Sequence, residues 1–341
     1  MAPDTPTGHL YRPSRRQLLA AGGALGLGAL LSACGGDNGS SGGGSGSWSF
    51  RDDRGKTVTT DGTPKNLVAF VGTAAVLHDY GITCKGVFGP TKQKNGKPDA
   101  QAGDLDVDRV TILGNTWGEF NVEKYASLNP DLLITSMYLK NTLWYVPDES
   151  KDEILRLAPS IGLQVADVSL PEPLRRHAEL AEALGADMSA PKVVQAKERF
   201  DKAVEDLRRA AEEADGLKVM AASGDPDLFY VSTPKRSADL RYYRELGVDF
   251  VIPKKVDSQG FFQSLSWENA GMYHADLIML DNRTGALTPE DLQAKPTWRK
   301  LPAVQAGQVI PWHAEPRFSY AGCAPLLEQL AQAIRKAKKL D

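Results

Sequence analysis

Cysteine is scarce in this chain: three in 341 residues, at positions 34, 84 and 323. A disulfide-stapled scaffold is therefore excluded, and we expect Cys84 and Cys323, far apart in the chain, to be buried free thiols. Histidine is as thin, with five residues scattered along the chain. A site that grips a bare metal ion would need clustered His and carboxylate, so no protein-held metal is expected. Basic charge is not in excess, since 40 Lys and Arg stand against 43 Asp and Glu. That argues against nucleic acid as a partner, which calls for a basic patch or stripe. No G-x-S-x-G elbow, phosphate-binding P-loop or closely spaced Cys/His pair occurs. Asp225-Pro226-Asp227 brings two acids together, but a proline between acids is ordinary turn chemistry. The longest apolar run, Leu18–Leu31, falls short of the ~20 residues that a membrane-spanning helix needs.

That short run has a different use. It follows Ser14-Arg15-Arg16-Gln17 and closes on Leu31-Ser32-Ala33-Cys34, an export signal ending in small residues before a cysteine. Residues 1–33 are thus expected to be removed and Cys34 to be lipidated. The twin arginines suit the twin-arginine route, and the Sec route stays open. Residues 34–47, rich in Gly and Ser, then form a flexible tether to the extracytoplasmic face of the cell membrane. Without residues 1–33 the net charge becomes −5.

The rest is organised around residues 189–215. Ser189 is placed to cap a helix and Pro191 to occupy its first turn. Val193, Phe200, Ala203, Val204 and Leu207 recur at helical spacing, and Gly216 ends the run. About 24 residues at ~1.5 Å each make a rod of roughly 36 Å. Strand and helix patterns alternate on both sides of it. Short strands are expected near 67–70, 84–88, 110–113, 131–134 and 164–168, and again near 218–222, 249–252, 276–280 and 308–310. One segment recurs: Asn121-Val122-Glu123 runs on to Asp131-Leu132, and Ser266-Trp267-Glu268 runs on to Asp276-Leu277. In both, Glu precedes Asp by eight residues and an apolar strand follows. The fold class is α/β, with two Rossmann-like lobes (48–188 and 216–341), each around a central sheet, joined by a single long helix (189–215). Ligands of open α/β sheets meet the carboxyl ends of the strands, so function is expected in the segments just after each strand. The polar stretch 89–109 has no period and is expected to be a functional or mobile loop.

The cysteine-terminated signal, the Asp52-Asp53-Arg54-Gly55 hairpin, the Asn121–Ile134 segment, the long helix and Leu301–Val309 together resemble one family. It is the iron-siderophore and cobalamin class of substrate-binding lipoproteins of ABC importers, and the likeness covers residues 48–338. The resemblance implies a binding protein, not an enzyme, with a ligand held between two α/β lobes. Glu123 and Glu268 match the family's carboxylates that dock on arginines of the permease, which works with its ATPase. A ferric siderophore brings its own six oxygen ligands, so no cofactor is implied, and a monomer suffices. Such a ligand needs aromatic walls and a few charged donors. The strand-end segments offer Trp117, Tyr138, Trp144, Tyr145, Phe229, Tyr230, Phe262, Trp312 and Tyr320, with Arg236, Arg283 and Arg317. Many aromatics and few clustered lysines favour a hydroxamate complex such as a ferrioxamine over an anionic catecholate. Haem, with Tyr138, His78 or His313 as axial ligand, and cobalamin stay open, and a membrane-anchored hydrolase is the reading from another class.

Overall fold

The computed structural model describes residues 46–340, so the export signal, Cys34 and nearly all of the tether lie outside the described residues. A hairpin comes first, β1 (Trp48–Arg51) paired antiparallel with β2 (Thr57–Thr60). Its turn carries Asp52 and Asp53, and both carboxylates reach across to the first sheet. Asp52 accepts the N–H of Gly162 (3.1 Å) and Asp53 that of Gln164 (2.8 Å). The acidic turn therefore staples the hairpin to the lobe.

The first lobe contains β3 (Leu67–Phe70), α1 (Val71–Asp79), β4 (Gly86–Phe88), β5 (Thr111–Ile112), α2 (Val122–Ser127), β6 (Leu132–Met137), α3 (Lys151–Leu157) and β7 (Ser160–Gln164). Its five strands are all parallel, in the order β5-β4-β3-β6-β7. β3 and β6 are buried along their whole length, which is why they read as continuous apolar runs. The last strand differs from the expected 164–168. The buried run is Ser160–Leu163, and Val165–Val168 already belongs to the connection to the second lobe.

Next come α4 (Pro171–Ala183) and α5 (Pro191–Glu213), the long helix, continuous over 23 residues. Pro191 sits in its first turn as expected, but Ser189 does not cap it. The cap position is Ala190, and the Ser189 hydroxyl turns back to Asp187 (2.6 Å). Nor is α5 a bare rod. It lies along the final helix α10 (Tyr320–Lys336), burying Phe200, Val204 and Leu207. One continuous apolar cluster runs from Leu67 and Ile134 in the first sheet through this helix pair to Val219 and Leu277 in the second. Packing, rather than a stiff spacer alone, relates the lobes. Among the described residues no helix is long and apolar enough to cross a membrane.

The second lobe holds β8 (Lys218–Gly224), β9 (Leu228–Ser232), α6 (Ala238–Glu245), β10 (Asp249–Phe250), β11 (Phe262–Ser266), β12 (Leu277–Asp281), α7 (Pro289–Leu292), α8 (Pro296–Arg299), α9 (Pro302–Gln305) and β13 (Val309–Trp312). The order is β11-β9-β8-β12-β13, with β10 also on β8. β9 and β11 run antiparallel and were not anticipated from the sequence. The recurring Asp has the same structural task in both lobes. Asp131 accepts the N–H groups of Lys65 and Asn66 (2.8 Å each) at the start of β3, the neighbour of β6. Asp276 accepts the N–H of Lys218 (2.6 Å) at the start of β8, the neighbour of β12. The repeat thus encodes strand registration.

Candidate functional site

The carboxyl ends of β6, β7, β8, β12 and β13 face a common cleft between the lobes. It divides into two adjoining compartments, both open to solvent. Ser232, Phe262, Arg283 and Glu315 border both.

The first compartment is apolar. From the first lobe Tyr138 and Trp144 form its wall, their rings 4.9 Å apart. Phe261, Phe262, Trp312 and Phe318 face them from the second lobe. The Trp312 indole is oriented by donating its N–H to the buried carboxylate of Asp239 (2.7 Å). Burial pushes the Asp239 carboxyl up to about 6, against the Trp312 N–H, which pulls it down. An unfolded Asp ionises near 3.9, so between roughly pH 4 and 6 the folded state binds more protons than the unfolded. The contribution of Asp239 to stability therefore falls as pH rises through that window and is level on either side. Denaturant titrations at pH 4.5 and 6.5 should show Asp239→Asn gaining about 2 kcal/mol relative to wild type over that step. Identical pH slopes in the two proteins would rule out a raised Asp239.

The second compartment carries more polar groups, with Gln101, Tyr145, Asp225, Tyr230, Asp281 and Thr284 in its wall. Tyr145 takes a left-handed backbone (φ 60°), uncommon for a bulky residue. It is held there because Trp144 N–H donates to Ser136 O (3.0 Å) and the Thr135 hydroxyl donates to Trp144 O (2.8 Å). The result aims Trp144 and Tyr145 at different compartments. Tyr230 donates to Asp225 (2.5 Å) and sets its ring edge-on to Phe262 at 4.9 Å.

Between the compartments stands one guanidinium. Arg283 donates to Asp281 (2.7 Å) and to Glu315 (2.6 Å), and both carboxylate side chains are buried. Burial works to lower the Arg283 pKa, but Glu315 and Asp281 together outweigh it and raise the pKa. The other oxygen of Glu315 accepts the Trp144 indole N–H (3.2 Å) from across the cleft. This one carboxylate links guanidinium and aromatic wall, lobe to lobe.

The sequence-named residues divide accordingly. Tyr138, Trp144, Tyr145, Tyr230, Phe262, Arg283 and Trp312 line the cleft. Trp117, 60% exposed, stands at its rim, edge-on to Trp144 (4.9 Å) and Tyr145 (5.0 Å). Arg236 lies behind the wall, over the Phe261 ring (4.6 Å) and paired with Asp167 of the first lobe (2.7 Å). Three expectations are corrected. Phe229 is fully buried against Trp267 and Trp298, because it alternates with Tyr230 along β9 and faces the core. Arg317 points to the rear, where it meets Asp79 (3.2 Å) and Asp104 (2.9 Å). Gly103 and Gly322 leave room for it there, since a methyl on either would collide with its side chain. Tyr320 opens on that rear groove beside Asp79 and Lys192, not on the cleft. Glu123 and Glu268 are exposed, one in the first turn of α2 and the other in a 3₁₀ turn, Trp267–Met272. Asp239, Glu315 and Gln101 were not singled out from the sequence. Glu315 sits two residues from Arg317, and a search for cations passes over an acid.

Comparison with known proteins decides the family. The family model described as periplasmic binding protein matches residues 74–316, most of the described chain. The chain belongs to the periplasmic binding protein family. Among solved structures, DesE from Streptomyces coelicolor, titled a ferric-siderophore receptor protein, is 55% identical, with a TM-score of 0.84. The match covers 86% of this chain and all of that one. A siderophore periplasmic binding protein from Thermobifida fusca shares the fold at 21% identity and TM-score 0.57, over 80% of this chain and 96% of that one. The curated relative named Fe(3+)-citrate-binding protein YfmC, from Bacillus subtilis (strain 168), is 25% identical over 76% of each chain. For a periplasmic binding protein, an interlobe cleft lined from both sheets is the expected place for ligand.

Proposed function

We propose that this protein captures a ferric siderophore outside the membrane and delivers it to an ABC permease and its ATPase. The favoured ligand is a hydroxamate complex, neutral or cationic, such as a ferrioxamine. One observation carries the choice: the cleft guanidinium, Arg283, is already matched by two buried carboxylates, beside an aromatic wall. Among the described residues, no cation lining the cleft is free to meet an anionic citrate or tricatecholate complex, whereas methylene chains and neutral chelate faces suit the rings. The 55% identity to a ferric-siderophore receptor supports the ligand class. Iron would arrive fully coordinated, so the protein needs no cofactor and acts as a monomer. Residues 48–188 and 216–341 are the two proposed domains, with Cys34 as the lipid anchor and residues 34–47 as the tether.

Fluorescence quenching by ferrioxamine B, ferrichrome, ferric citrate, a ferric tricatecholate, haemin and cobalamin tests the reading. Submicromolar binding of the hydroxamates alone is the expected result; selective binding of haemin or cobalamin would overturn it. Glu123 and Glu268 are the proposed contacts to the permease. The Glu123→Ala/Glu268→Ala double variant should retain ligand affinity within about twofold while uptake of labelled ferric ligand falls about tenfold or more. Unimpaired uptake would remove both residues from that role.

A further inference from the structure

The apolar compartment contains two hydroxyls that the fold itself does not use. Ser232 closes β9, a strand whose side chains alternate between two faces. Phe229 and Val231 are fully buried in the core behind the sheet, so Tyr230 and Ser232 turn toward the cleft. Ser232 is only 7% exposed and borders both compartments, directly opposite Phe262 of β11. Its neighbours are engaged: the Tyr230 hydroxyl donates to Asp225, and the Thr233 hydroxyl accepts the Lys235 N–H (3.3 Å). The Ser232 hydroxyl has no hydrogen-bond partner among the described residues. Ser237 is the second. It holds the N-cap position of α6, where a serine oxygen ordinarily accepts an N–H of the first turn. Here it makes no such bond, and it borders the same compartment.

The remaining polar groups on this wall are committed. Asp281 and Glu315 hold the Arg283 guanidinium, and Asp239 holds the Trp312 indole. From the second lobe, Ser232 and Ser237, with exposed Gln259, are therefore the side chains still able to pair with a ligand. In a ferric trihydroxamate the six chelating oxygens give their electron density to iron and are poor acceptors. The amides that link one hydroxamate to the next are not so engaged. They shed water on entering an aromatic compartment, and a buried amide left unpaired is costly. A hydroxyl suits either end of an amide, since it can donate to the carbonyl or accept from the N–H.

We propose that Ser232 and Ser237 are specificity-determining residues that pair with the linker amides of a ferric trihydroxamate, while the surrounding rings cover its methylene chains. The inference rests on the siderophore reading and deepens it: the cleft discriminates among hydroxamates by the linker, not by charge.

The test compares ferrioxamine B with a ferric trihydroxamate of equal length whose linker amides are replaced by methylene pairs. Titration calorimetry at pH 7 should show the wild type preferring the amide-linked complex by about tenfold or more. Ser232→Ala and Ser237→Ala should each reduce that preference about threefold, and the double variant should bring it close to one. Ser237→Thr, which keeps a hydroxyl, should retain most of it. A wild-type preference near one, a preference that survives in the double variant, or equal losses of affinity for both complexes would overturn the assignment and leave the siderophore reading intact. Binding of neither complex by the wild type would remove the hydroxamate reading and the assignment with it.

Discussion

Replacing Arg283 by alanine should lower the unfolding free energy at pH 7 by about 3 kcal/mol. The substitution leaves Asp281 and Glu315, whose side chains are only 1% and 7% exposed, facing each other without their shared cation. Breaking a buried pair from one side costs ~3–5 kcal/mol, and the lower end applies because the guanidinium itself is 35% exposed to cleft water. A second substitution identifies the mechanism. Two like charges left buried beside each other repel, and that repulsion is what the loss reports. Adding Asp281→Asn should recover part of the loss. Urea titrations at pH 7 on the three proteins decide it. A deficit below about 1 kcal/mol, or one that Asp281→Asn does not reduce, would mean that the triad contributes little to holding the cleft together.

How much of this was legible in the chain depends on whether the information was local. β3 could be read to the residue, since Leu67–Phe70 is a four-residue apolar run buried on both faces. α5 followed from its helical spacing, and the Glu-to-Asp repeat was real, although its Asp members proved to be strand fasteners. β9 and β11 were missed because two short antiparallel strands beside a Pro-containing turn give no long period. That omission sent Phe229 to the cleft, for only a strand assignment separates it from its neighbour Tyr230. Arg317 and Tyr320 failed for a different reason. Their strand-end placement was sound, but the side on which a side chain leaves its loop is set by distant partners, here Asp79 and Asp104. The charge state of the cleft was likewise invisible. Arg283 reads as a free cation until Glu315, 32 residues on, is brought beside it.

Trp144 is where the cleft's separate features meet, and Trp144→Ala should weaken siderophore binding by about 2–4 kcal/mol, roughly 30- to 1,000-fold. Its ring carries one wall of the apolar compartment and touches Trp117, Tyr138 and Tyr145 at centroid distances of 4.9, 4.9 and 6.0 Å. Its N–H also bridges the lobes to Glu315. Trp144→Phe separates the two contributions, because it keeps an aromatic face and removes the donor. A neutral hydrogen bond to a charged acceptor contributes ~1.5–3 kcal/mol, but here water in the open cleft can replace the indole. The phenylalanine variant should therefore lose only about tenfold. Fluorescence is not the readout of choice, since the tryptophan is itself a reporter; calorimetric titration with ferrioxamine B gives both constants. Near-equal losses in the two variants would assign the effect to the Glu315 bridge, and an affinity unchanged by Trp144→Ala would place the ligand elsewhere than against this wall.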